Sequence, residues 1–187
     1  MRLLSALLMS AAAYAAAYTI DPAHSAATFG VRHMMVSTVR GQFSKVTGVI
    51  VFDPKNLADS KAEATIDVNT IDTREPKRDA HLKSPDFFDA ARYPTMFFRS
   101  TKWWNDAGKL KVSGDLTIRG ITKQVVFDVE GPSLDPKSSG ATLIGGAATT
   151  KISRKEFGLA WNKLLETGGA VVGDEVSITL DIEAKKN

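Results

Sequence analysis

The chain of 187 residues contains no cysteine. Thiolate nucleophiles and cysteine-ligated metals are excluded, and no disulfide staples the fold, so stability must come from an apolar core. Histidine is scarce as well, with only His24, His33 and His81. None stands in an H-x-x-x-H or H-E-x-x-H pair, so no metal site is expected from spacing. There is no G-x-S-x-G elbow, and "LIGGAATTK" (143–151) lacks the spacing of a phosphate-binding loop, so neither motif points to catalysis or to a cofactor. An excess of one charge is missing too. With Arg2 set aside, 23 of the 24 basic residues face 21 acids, a balance of +2. No basic block with interleaved aromatics offers a groove for nucleic acid.

Long apolar runs are confined to the start. "MRLLSALLMSAAAYAAA" joins one positive charge, an apolar stretch and a small-residue ending, the three-part pattern of a secretory signal peptide over residues 1–17. Ala15 and Ala17 occupy the small positions before a cut that would leave Tyr18 as the mature N-terminus. No later segment is apolar enough to cross a membrane as a helix. Residues 18–187 then form one domain, with ordinary globular composition at 43% hydrophobic and 24% charged.

Two-residue alternation dominates that domain. In "KAEATIDVNT", Ala62, Ala64, Ile66 and Val68 share one face, with Glu63, Thr65, Asp67 and Asn69 on the other. "KLKVSGDLTIRG" and "DEVSITLDIEAK" repeat the pattern with Val112, Leu116 and Ile118, and with Val176, Ile178, Leu180 and Ile182. Less regular strands read at "AATFGVRH", "GQFSKVTGVIVFD", "TMFFRSTKWW", "TKQVVFDVEG" and "ATLIGGAATTKIS". Turn residues separate them at "DPKNLADS", "NDAG", "RGIT" and "LDPKSSG". The expectation is all-β: eight antiparallel strands, each with one apolar face, stacked as a sandwich or closed as a barrel, and closure removes exposed edges.

"REPKRDAHLKSPDFFDAARYP" (74–94) interrupts this pattern. It reads as a short helical insertion over residues 76–92 in two turns, the first opened by Pro76, the second capped by Ser84 with Pro85 at its first position. Arg78 and His81 are then i,i+3 neighbours beside Asp79, while Leu82, Phe87 and Phe88 can face the core. Two readings of this insertion stay open on pattern alone: a ligand-facing polar cluster, or a solvated loop whose phenylalanines plug the core.

The same residues carry a family resemblance. "DPAHSAATFGVRHMMVSTVRGQF", "TREPKRDAHLKSPDFFDAARYPTMFFRS", "VSGDLTIRGITKQVVF", "SRKEFGL" and "VGDEVSITLDIEA" occur in order and with the spacing of the YceI-like, polyisoprenoid-binding family, which the whole mature chain resembles. The resemblance implies a lipocalin-like antiparallel barrel in the bacterial periplasm, often a homodimer, whose lumen holds the tail of an isoprenoid or similar long-chain amphiphile of prenyl phosphate or quinone type. Alternation then assigns Phe43, Ile66, Val68, Met96, Phe98, Val112, Leu116, Ile118, Phe127, Ile178 and Leu180 to the lumen, with Phe87 and Phe88 from the insertion. Arg78, Asp79 and His81 are the candidate head-group cluster, with Arg154 of "SRKEF" as a fourth member. The expectation is a binding or carrier protein without catalysis, cofactor or metal. The alternatives are an enzyme acting on such a lipid, for example by hydrolysis near His81 and Asp79, and an envelope stress or partner-binding module with a packed barrel.

Overall fold

The computed structural model describes residues 16–135, 142–163 and 171–187. The expected signal peptide therefore lies outside the described residues up to residue 15, as do most of the "LDPKSSG" turn and residues 164–170 before the last strand. Eleven strands occur among the described residues: β1 (Ala16–Ile20), β2 (Ala26–His33), β3 (Ser37–Phe43), β4 (Val46–Phe52), β5 (Lys61–Asp67), β6 (Ile71–Asp72), β7 (Thr95–Asp106), β8 (Lys109–Ile118), β9 (Ile121–Asp135), β10 (Leu143–Ser153) and β11 (Val172–Lys186). One α-helix, α1 (Pro76–Lys83), joins β6 to β7.

Antiparallel pairing runs β1-β4-β5-β7-β8-β9-β10-β11 and returns from β11 to β1, which closes a barrel of eight strands. The remaining three strands continue members of that ring. β11 pairs with β1 through Ala184–Lys186 and with β2 through Val172–Asp181, so β1 and β2 follow one another along the same neighbour. β3 likewise precedes β4, and β6 follows β5. Eight strands read from alternation thus match eight positions in the wall, three of them broken.

Each break has a local cause. Between β1 and β2, Asp21 accepts from Ala23 N at 3.0 Å and from Lys185 Nζ at 2.6 Å, while Ser25 Oγ bridges the Glu183 backbone. Lys185, then the Ala23 N–H and His24, hold the Asp21 carboxyl well below the usual carboxylate range. After β5, the Asp67 side chain accepts from Asn69 N at 3.0 Å and starts a 3₁₀ turn over Val68–Thr70. Bulges between Ser100 and Lys102 and between Gly145 and Ala147 supply the curvature that closure needs.

The insertion differs from expectation in its second half. α1 opens on Pro76 as read, with Glu75 as its N-cap, but ends at Lys83, and residues 85–92 form successive turns with no second helix. Ser84 closes α1: its N–H and Oγ both donate to His81 O, at 3.1 and 2.7 Å. Pro85 follows a residue in extended conformation, which ends helical propagation there.

Candidate functional site

Inward side chains of the barrel enclose a cavity of about 240 Å³, walled almost entirely by carbon. Phe43, Ile66, Met96, Phe98, Val112, Leu116, Ile118, Phe127, Ile178 and Leu180 line it, as do Phe87 and Phe88 from the insertion. Val68 does not. It is buried at 1% exposure, but the alternation that placed it stops at Asp67, where the chain enters the 3₁₀ turn and the side-chain direction changes.

Two charged residues border the cavity, and both direct their charge elsewhere. Glu63 pairs with Arg99 Nε at 2.9 Å through exposed side chains. Arg154, only 4% exposed, donates from Nε to Gly173 O at 2.8 Å, from Nη1 to Trp161 O at 2.9 Å and to Leu159 O, and from Nη2 to Val172 O at 3.3 Å. Burial pushes the guanidinium pKa down from its usual value, and Asp174 acts against that shift. Expected as a fourth member of the head-group cluster, Arg154 directs these donors at the protein itself and ties the segment after β10 to the start of β11. Near the opposite end of the lumen stands Trp103, packed 6.0 Å from Phe52, whose buried Nε1–H has no acceptor among the described residues.

The strand directions put α1, the β8–β9 turn, the 154–161 segment and the β2–β3 hairpin at one end of the barrel. That end is covered by aromatic rings. Phe88 meets Phe43 edge-on at 5.6 Å, and His81 lies 5.0 Å from Phe87 and 4.9 Å from Trp161. Arg119, in a left-handed turn conformation, clamps the two covering segments by donating to Gly158 O and, at 2.7 Å, to Pro85 O. The sequence reading missed Arg119 and Trp161. "RGIT" carried a turn signal only, and nothing in its spacing revealed that the arginine reaches carbonyls 34 and 39 positions away.

Within the insertion, Arg78 and Asp79 converge on Thr73. Arg78 Nε donates to Thr73 Oγ1 at 2.8 Å and Nη2 to Thr73 O at 2.7 Å, while Asp79 Oδ1 accepts from Thr73 N at 2.9 Å. Asp79 therefore fixes the loop and does not orient His81, whose Nε2 instead pairs with Asp86 Oδ2 at 2.9 Å. His81 and Asp79, near which hydrolysis was the alternative expectation, thus bond to different partners. Asp21, His24 and Glu183 also converge, within 4.8 Å. The Lys185 ammonium already occupies Asp21 there, and its positive charge opposes a bound cation.

A closed β-barrel around a carbon-walled cavity, covered at one end by a helix and aromatic side chains, defines a lipocalin-like barrel of the kind that encloses apolar small molecules. The chain belongs to the YceI-like domain family, whose model matches residues 18–184. A UPF0312 protein of Staphylococcus aureus strain USA300 is 38% identical over 168 residues, 89% of this chain and 95% of the relative. Among solved structures, Burkholderia cenocepacia BcnA superposes with a TM-score of 0.73 at 28% identity, covering 88% of this chain and 99% of that one. The Campylobacter jejuni YCEI protein gives 0.70 at 31% identity, covering 83% and 90%. A polyisoprenoid binding domain from Saccharophagus degradans gives 0.66 at 14% identity, covering 92% and 99%, a likeness of fold.

Proposed function

We propose that this protein binds and carries a polyisoprenoid or similar long-chain amphiphile, its tail in the lumen, without chemistry on the cargo. The observation that carries this reading is the carbon wall running from Ile20, Phe52 and Ile144 at one end to Phe88 and Phe157 at the other. Each buried methylene contributes about 0.8 kcal/mol, enough in a long tail to offset the cost of ordering it. The Saccharophagus degradans domain of the same fold is described as polyisoprenoid binding, which supports the choice of cargo class. Native mass spectrometry of the purified protein should reveal a retained long-chain lipid. A protein that neither retains such a lipid nor takes up a prenyl chain after delipidation overturns the reading in favour of a packed scaffold.

The head group is assigned to the covered end, beside α1. His81 keeps 39% of its side-chain exposure there, and Arg78 has an Nη1 with no acceptor among the described residues. His81→Ala is expected to weaken binding of a prenyl phosphate about tenfold more than binding of a plain alkyl chain, the scale of one charge-assisted hydrogen bond. Apo stability should fall by no more than about 1 kcal/mol. Equal losses for both ligands in titrations of delipidated protein would put the head elsewhere. Arg78→Ala is the less selective variant, because it also removes two bonds to Thr73.

The protein acts in the periplasm after export, as a homodimer in this reading. Its mature chain is expected to begin at Tyr18, the first residue of the family match, which leaves Tyr18–Ile20 of β1 to pair with β4 and β11. Mass measurement of the exported protein checks this, and retention of residues 1–17 would point to a membrane-tethered form.

A further inference from the structure

At the covered end of the barrel, the β2–β3 hairpin carries three adjacent exposed apolar side chains at its tip: Met34 is 44% exposed, Met35 70% and Val36 80%. Both methionines sit in left-handed backbone, with φ of 49° and 61°. The three-residue turn between His33 and Ser37 thus has two successive positive-φ positions, which favour Asn or Gly because a side chain with a Cβ crowds the backbone there. Bulky apolar residues in such a turn therefore oppose local folding preference, and strain of this kind collects at functional sites. The turn is nonetheless held firmly: Arg32 Nη2 donates to Met35 O at 2.7 Å, Val36 N donates to His33 O at 3.1 Å, and Met34 N donates to Val171 O at 2.8 Å.

The hairpin's own charge has one sign, and the nearest acids of the adjoining β11, Asp174 and Glu175, are paired with Lys155 and Lys151. Residues 30–41 contain Arg32, His33 and Arg40 and no acid, and both arginines are exposed. The outer edge of the hairpin is open, while β2 holds its inner edge to β11 as far as His33. β6 pairs only with Gln42 and Phe43, so among the described residues Ser37–Gly41 bonds to β2 alone. An apolar tip with an exposed arginine on each strand behind it, Arg32 on β2 and Arg40 on β3, matches the two layers of a bilayer surface: acyl chains for Met35 and Val36, anionic head groups for the arginines.

We propose that the Met34–Val36 tip inserts into an anionic phospholipid bilayer and docks the covered end of the barrel against it, so that cargo passes between membrane and lumen without crossing water. The direction of transfer rests on the carrier reading above, whereas docking itself does not. Vesicles of phosphatidylcholine, with and without phosphatidylglycerol, provide the test by co-flotation. The mature protein should float with the anionic vesicles, and Met35→Ser/Val36→Ser should reduce the bound fraction about tenfold through loss of apolar insertion. Arg40→Gln should weaken flotation with the anionic vesicles only, and high salt should mimic it. Retention of a prenyl chain should be unchanged in all of them. Wild type that fails to float, or a double variant that floats as well as wild type, overturns docking while leaving the carrier reading intact. If the tip variant instead converts a dimer to a monomer in sedimentation and vesicle binding is absent throughout, the tip is a contact between copies and docking is again overturned. Tip-dependent flotation by a protein that takes up no prenyl chain upholds docking and removes the carrier reading.

Discussion

Leu116→Asp is expected to unfold the protein or to abolish lipid retention, the largest loss anticipated from a change in the lumen. Leu116 is 7% exposed on β8, lies opposite Phe98 of β7 in the strand register and lines the cavity. A carboxylate there would meet only carbon, and burying an unpaired charge costs several kcal/mol, a large share of the roughly 5–15 kcal/mol that stabilises a typical domain. Val126→Asp is the matched control. Val126 is 45% exposed on β9, and an acid there should change stability by no more than about 0.5 kcal/mol. Denaturant midpoints and native mass spectra of the two variants give the comparison. A folded Leu116→Asp protein with normal stability and a normal lipid load would mean that the carbon wall is not where the cargo lies.

The contrast between Leu116 and Val126 shows what was legible in the sequence. Wherever one strand face is buried and the other wet, alternation encodes the direction of each side chain. β8 and β11 therefore read correctly from Val112 to Ile118 and from Val176 to Ile182. The same rule misplaced Val68, because the signal that ends β5 is a cap made by the Asp67 carboxylate, and alternation carries no record of it. β6 escaped notice for a related reason: two residues have no period. β1 was hidden because Ala16 and Ala17, which begin the strand, were read as the small-residue ending of an expected export signal.

The site was legible in its composition and less so in its geometry. Leu82, Phe87 and Phe88 line the cavity, as the apolar half of the insertion implied. Its polar half divided. Arg78 and His81 both lie on α1, yet Thr73, five residues before Arg78, captures both the arginine and Asp79, while His81 pairs with Asp86. Contacts of this kind depend on where the chain enters the helix, a tertiary fact with no periodic trace. Arg119 and Arg154 present the same problem at longer range, since their bonds to backbone carbonyls leave no side-chain pattern to find in the sequence.

Arg154 therefore distinguishes a donor for cargo from a fastener for the wall, and Arg154→Met should decide between them. Its guanidinium serves the carbonyls of Leu159, Trp161, Val172 and Gly173 and stands 3.5 Å from Asp174, with the side chain almost fully buried. Removing it leaves several carbonyls without donors inside the wall, where each unsatisfied polar group costs about 1–3 kcal/mol. A loss of about 3–5 kcal/mol is expected, the scale measured when one partner of a buried charged network is deleted. Arg154→Lys should recover only part of it, because an ammonium is a point donor and cannot span carbonyls arranged around a planar fork. Segment 154–161 should loosen first, changing the near-ultraviolet signal of Trp161, which packs on Phe87 at 5.2 Å over the end of the cavity. Plain alkyl chains and prenyl phosphates should then be lost in parallel, as the cover over the lumen gives way. The opposite result, unchanged denaturant midpoints with selective loss of the phosphate-bearing lipid, would return Arg154 to the head group and require its carbonyl contacts to open when cargo binds.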